Sequence, residues 1–133
     1  MDAITIMQNE YVTLWYHPAD KIVHHRFEKS ADSESHRAML LRGAECLEKH
    51  HAQKWLSDDR NHVVVREDDA IWGEKVWTPR VLRAGFKFWA IVLPIRAIGQ
   101  LNLKRLAQEH AELGVTVKTF TEVDSAFQWL QSV

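Results

Sequence analysis

The chain has one cysteine, three prolines, five glycines and almost no net charge. Each shortage excludes something. Cys46 alone cannot close an internal disulfide, which fits a reducing compartment. Its place beside Leu47 in an apolar helical pattern reads as a buried, inert thiol. The glycines at 43, 73, 85, 99 and 114 stand singly, so neither GxGxxG nor GxxxxGK[ST] occurs and no phosphate cradle is expected. A GxSxG elbow is absent too, and CxxC metal spacing cannot occur with one cysteine. With 17 basic residues against 18 acidic, there is no surplus of positive charge for a nucleic-acid backbone. The longest strongly apolar run, residues 88–95, is far short of the ~20 residues that span a bilayer. The N-terminal Met1-Asp2-Ala3-Ile4 carries an acid where a secretory leader needs a base. A soluble, cytoplasmic protein is expected, with no integral membrane association and no metal or cofactor.

What is present describes a folded domain. The chain's 133 residues fit one unit, 1–133, and hydrophobic and charged fractions of 46% and 26% are ordinary for globular proteins. Residues 4–7, 11–17 and 21–27 are rich in β-branched and aromatic side chains. Pro18-Ala19-Asp20 turns between the last two, so a three-stranded antiparallel meander is predicted. From Ser33 or Ser35, either a candidate N-cap, a helix runs to about residue 51. Leu40, Leu41, Ala44 and Leu47 recur on its one face. Gly43 on that helix predicts close approach to the sheet.

A short strand at 54–57 follows, then a loop from Asp58 through Val63 to Val65. Glu67-Asp68-Asp69 place acids at the positive end of the next helix, with Ile71, Trp72 and Val76 as its apolar face. Thr78-Pro79 predicts the start of a further helix, and Gly85 its end. Residues 86–93 are apolar almost throughout, as in a central strand covered on both sides. A helix over 97–113 carries Leu103, Leu106, Ala107, His110 and Leu113 on one side. A strand at 115–119 and a final helix with Ala126, Phe127, Trp129 and Leu130 complete the chain. The order βββ-α-β-α-β-α-β-α predicts an α/β fold with a single mixed sheet and helices packed on it.

The densest polar cluster is Ser57-Asp58-Asp59-Arg60, at the carboxyl end of a predicted parallel strand, where ligands of open α/β sheets bind. Asp58 and Asp59 could position a ligand donor or act as acid and base with His62, or Asp59 could pair with Arg60 and order the loop. Six tryptophans are many for this length. Trp55 and Trp89 are expected in the core, while Trp72 and Trp77, five apart, cannot share a narrow stripe, so one of them is a candidate interface or pocket-lid residue. The eight histidines are expected mostly at the surface. His24-His25 point to opposite faces of a strand and cannot easily share a metal, and His50-His51 sit at a helix C-terminus.

The order of elements and the segments Glu10-Tyr11-Val12-Thr13-Leu14-Trp15-Tyr16, Lys54-Trp55-Leu56-Ser57-Asp58-Asp59-Arg60 and Trp129-Leu130 resemble the STAS-like (SpoIIAA-like) family of small bacterial α/β proteins. The resemblance covers residues 3–133. It implies a mixed sheet with packed helices and two kinds of role. One is regulation of a protein partner through serine phosphorylation. The other is binding of a lipid or small apolar molecule, as in the similar CRAL-TRIO fold. The family's Asp-Ser pair at the helix after residues 54–57 is missing, since Glu67-Asp68-Asp69 stand there, so the phosphoswitch does not carry over. A non-enzymatic binding module is therefore expected, engaging a protein partner or itself, for instance as a homodimer. Its binding residues would be Ser57, Asp58, Asp59, Arg60, Trp72 and Trp77. The alternative is a carrier for a lipid or other small apolar ligand beneath a helical lid at residues 67–85.

Overall fold

The computed structural model describes residues 3–62 and 65–133. Val63, expected in the loop after residue 60, lies outside the described residues, as does Asp2. The six strands are β1 (Ile4–Gln8), β2 (Val12–His17), β3 (Ile22–Phe27), β4 (Lys54–Asp58), β5 (Phe88–Val92) and β6 (Thr116–Phe120). They lie side by side in chain order. β1, β2 and β3 pair antiparallel, and β3 to β6 pair parallel. The α/β fold with one mixed sheet and the order βββ-α-β-α-β-α-β-α is thus the one the sequence predicts.

Each parallel crossover steps to the next strand on the same side. Right-handed crossovers that all step one way put their helices on one face. That face carries α1 (Ser33–His50), the arm made of α2 (Glu67–Trp72) and α3 (Thr78–Ala84), and α4 (Ala97–Glu112). Its core joins Leu14, Val23, Trp55 and Ile91 of the sheet to Met39 and Leu47 of α1, Trp77 and Val81 of the arm, and Leu103 of α4. α5 (Val123–Ser132) covers the other face alone, packing Ala126 and Leu130 on Ile22, Leu56, Ala90 and Val92. Among the described residues, no helix is long and apolar enough to cross a membrane.

Several local expectations are corrected. α1 is capped by Asp32, whose carboxylate accepts the Ser35 N–H at 2.8 Å, and neither Ser33 nor Ser35 is the cap. Asp beats Ser there because it stands one residue before the first helical turn and reaches N3 directly. α3 starts at Thr78 with Pro79 in its first turn and ends at Gly85, as expected, but Thr78 is not a cap and no break separates this helix from the one before. α2 runs through a π-helical turn, Gly73–Trp77, into α3 without leaving helical dihedrals. Pro79 has no N–H to give the preceding turn, and the wider turn, in which the Thr78 N–H reaches back to Gly73 O, sits where that bond would be lost.

The expected apolar face of the arm is also wrong. Ile71 and Val76 are 44% and 47% exposed, Trp72 is half-buried, and the buried members between residues 67 and 77 are Asp69 and Trp77. Leu113 is likewise exposed instead of sharing the buried side of α4. Of the eight histidines only His51 is exposed, and His25 of β3, His62 of the loop after β4 and His110 of α4 are buried.

Candidate functional site

A cavity of about 860 Å3 lies between the helical cover and the sheet. Its floor follows from strand alternation, since residues two apart share a face. β3 supplies His25 and Phe27, β4 and the residue after it supply Trp55, Ser57 and Asp59, and β5 supplies Trp89. Parallel register sets His25 beside Ser57 and Trp55 beside Trp89. The α1 wall is His36, Met39 and Leu40. The α2–α3 arm contributes Ile71 and Trp77, and α4 contributes Leu103, Leu106 and His110. The arm and α4 meet at one end, where Trp77 and Thr78 lie against His110. Charged residues stand at the rim, among them Glu67, Glu74, Arg105 and Glu109.

Three tryptophans of this chamber have their indole N–H groups engaged by the protein. Trp89 donates to Ser57 Oγ at 2.7 Å, Trp77 to the Leu40 carbonyl at 2.8 Å, and Trp55 to His25 Nδ1 at 2.9 Å. The polar edges of the rings are thus spent, and the chamber is left with their apolar carbon surface.

The Trp55 bond fixes a tautomer. An indole N–H can only donate, so His25 Nδ1 accepts and its proton rides on Nε2. Nε2 in turn donates to Asp59 Oδ1 at 2.8 Å. The chain Trp55–His25–Asp59 is buried throughout. The substitution Trp55→Phe leaves His25 Nδ1 without a donor. We expect it to lower the unfolding free energy by about 1–3 kcal/mol from that group alone, measured by urea denaturation. Retained wild-type stability would mean that the indole bond does not order His25.

Beside this chain the imidazoles of His36 and His62 flank Phe27. His62 stacks on Phe27 with centroids 4.2 Å apart, and His36 lies 6.0 Å from both rings. Burial, helped by the neighbouring His62, pushes the His36 pKa down to about 4. Burial also lowers that of His62, with the Asp59 carboxylate opposing it. His110 is lowered by burial against the pull of its bond to the Leu106 carbonyl. All three are neutral at pH 7. Asp69 is buried, which works to raise its pKa, yet bonds from Arg37 Nε at 2.8 Å and Ser33 Oγ at 2.9 Å outweigh burial and hold it below the usual carboxylate range. This ion pair clips the arm to α1.

Of the residues expected to bind, Ser57, Asp59 and Trp77 line the cavity. Asp58 does not. It is the next residue on the strand, so it faces the opposite way and holds Arg60 through two bonds, at 2.8 and 2.7 Å. The expected Asp59–Arg60 pairing is therefore corrected: Asp58 takes Arg60, and Asp59 takes His25. The two aspartates on opposite faces cannot work together as acid and base. Trp72 sits half-buried outside the chamber with the Arg37 guanidinium 5.2 Å from its ring centroid. His25, His36 and Trp89 are site residues that the sequence reading misses. The period of two in β3, with His25 and Phe27 on one face, carries the signal for the first. His36 needs the rotation of α1, which its apolar pattern leaves undefined by about one residue.

Among the described residues, no group of three or more histidine, cysteine, aspartate or glutamate side chains is placed to hold a metal ion. His25 is committed at both nitrogens. No protein-family model, curated protein or solved structure matches the chain.

Proposed function

We propose that this domain binds a small, largely apolar molecule in the chamber between the sheet and the α2–α3 arm, and does so without transforming it. The observation that carries the reading is the chamber itself. Its volume of about 860 Å3 falls within the roughly 300–1,000 Å3 of small-molecule sites. Its walls are aromatic and aliphatic, with a few convergent polar groups at one end, the usual composition of such sites. A protein interior packed for stability alone leaves few voids larger than a water molecule. Residues of the α2–α3 arm line the cavity, which supports a reading in which residues 67–85 act as its lid. The catalytic alternative loses its pair of aspartates, because Asp58 faces away from the chamber and holds Arg60 while Asp59 is bonded to His25. Docking of a protein partner or of a second copy keeps only the half-buried Trp72 as an aromatic anchor, because Trp77 is turned inward with 7% exposure. The reading is compatible with a STAS-like domain of the carrier type.

Nile red, a neutral dye that brightens in apolar surroundings, tests this directly. Wild-type protein is expected to bind it with a saturable, blue-shifted rise in emission. Leu106→Trp on α4 fills the chamber from a half-buried position and should weaken binding at least tenfold while the far-ultraviolet spectrum stays unchanged. Native mass spectrometry of the freshly purified protein should show mass beyond the chain. A dye that neither brightens nor responds to Leu106→Trp rules out a ligand chamber and returns the protein-docking reading to first place.

A further inference from the structure

Among the described residues, His62 breaks the rule that buried polar groups find partners: both ring nitrogens are buried and neither has one. The residue is 5% exposed and lines the chamber. Its ring stacks on Phe27 and its backbone N–H donates to the Asp59 carbonyl at 3.0 Å. A phenylalanine would make the same ring contact without the two unmet nitrogens. The imidazole is therefore costly to the fold as it stands, and a ligand would relieve that cost.

The chemistry of the surroundings selects the ligand's polar end. A neutral imidazole presents one N–H and one lone pair. The two sit on diverging edges of the ring, so one ligand group meets one of them, and only a group that both donates and accepts suits whichever nitrogen it reaches. The nearby charges are the carboxylates of Asp59 and Asp69, and the Arg37 guanidinium is already held by Asp69. Arg66 at the rim is largely exposed and stands 3.9 Å from the Asp68 carboxylate. His25 and His36 supply no positive charge at pH 7, since His25 Nδ1 is an acceptor and His36 is neutral. Among the described residues, an incoming carboxylate or phosphate would meet negative charge with no buried, uncommitted cation at this end of the chamber. An ammonium donates only, so it can meet the lone pair and never the N–H. A hydrocarbon satisfies neither nitrogen.

From this we infer that the ligand of the chamber carries an uncharged hydroxyl, phenolic or alcoholic, which docks on His62 beside the His25–Asp59 pair. The inference rests on the chamber reading and narrows it, setting aside fatty-acid anions and phosphorylated ligands.

Three probes with one apolar body and different ends separate the possibilities: naphthalene, 2-naphthol and 2-naphthoate, each titrated by calorimetry at pH 7.5. 2-Naphthol is expected to bind about tenfold more tightly than either of the others, the worth of one well-made hydrogen-bonding arrangement. His62→Phe should erase that margin, bringing 2-naphthol to the affinity of naphthalene, while naphthalene binds as well as before. The same variant should melt at or above the wild-type temperature, since it removes two unmet polar atoms from the interior. The wild-type comparison stands by itself should the variant fold poorly. If 2-naphthol shows no advantage over naphthalene, or 2-naphthoate equals it, the hydroxyl inference falls and the chamber reading survives. Silence from all three probes and from Nile red overturns both.

Discussion

Replacing Gly43 by alanine is expected to destabilise the protein by about 3 kcal/mol, the upper end of what overpacking a core costs. In an ordinary helix the same change is favourable by up to ~1 kcal/mol, because alanine loses less backbone freedom on folding. Here the helix α1 crosses the sheet so closely that a Cβ on Gly43 would clash with the edge of the six-membered ring of Trp55, overlapping its Cη2 and Cζ3 atoms. Trp55 is 1% exposed and is held through its Nε1 bond to His25. To make room, the ring must move, and moving it breaks the bond that orders the His25–Asp59 pair. The effect should therefore appear twice, as lost stability in urea titrations and as weakened Nile red binding. Gly73 provides the control. It lies in the π-helical turn with right-handed dihedrals, and a methyl group added there would meet nothing within 4 Å, so Gly73→Ala should stabilise by a few tenths to ~1 kcal/mol. Equal stabilities for the two alanine variants would mean that α1 does not rest on Trp55.

Acid is expected to unfold this protein well above the pH at which its carboxylates protonate. His24 is pushed down to about 3, first by burial and then by His17 and His25. His36 is pushed down to about 4 by burial and by His62. An unfolded histidine titrates near 6.5. Above that pH neither state holds the extra proton and stability is complete. Between about 6.5 and 4 the unfolded chain takes up protons that the folded chain refuses, so stability falls as pH falls. Each such histidine costs about 1.4 kcal/mol per pH unit over this window, or about 2 kcal/mol by pH 5.

The partners around them do not reverse the sign. Asp69, Asp59 and the imidazoles of His62 and His25 act on His36, while His17, His25, Asp58 and Arg26 act on His24. Asp69 itself adds stability that is kept above its ordinary carboxylate pKa and lost only below it, so it offers no compensation at pH 5. Equilibrium unfolding at pH 7 and pH 5 should differ by several kcal/mol, and His36→Phe should remove the His36 share of that difference. A stability that stays flat between pH 7 and pH 5 contradicts the burial of these rings.

The elements themselves are legible because each has a local cause. Alternation of apolar side chains marks the strands of the meander, a continuous apolar run marks β5, and a periodic stripe ending at Gly114 marks α4. Gly43 announces a close helix–sheet contact correctly. The arm misleads over residues 67–76 because its pattern is inverted there. Its aspartate is inside, where Ser33 and Arg37 satisfy it, and its Ile71 and Val76 are largely exposed. Those partners lie more than thirty positions away, and no window along the chain contains both members of the pair.

The candidate site is half legible for a similar reason. Ser57 and Asp59 can be found from the end of a parallel strand, and strand alternation already implies that Asp58 faces away. The division of labour between the aspartates depends on who stands opposite: Arg60, two residues on, for Asp58, and His25, 34 residues earlier in the chain, for Asp59.

The sequence by itself determined the class of fold, its strand and helix order and the absence of local phosphate-binding and disulfide motifs, because these depend on composition, periodicity and spacing. Only the tertiary structure decided that a chamber is left between the sheet and its helical cover, that three indoles there spend their N–H groups on protein acceptors, and that His62 lines it with both nitrogens unmet. Those outcomes depend on distances between residues remote in the chain, set when side chains of fixed volume must share one interior.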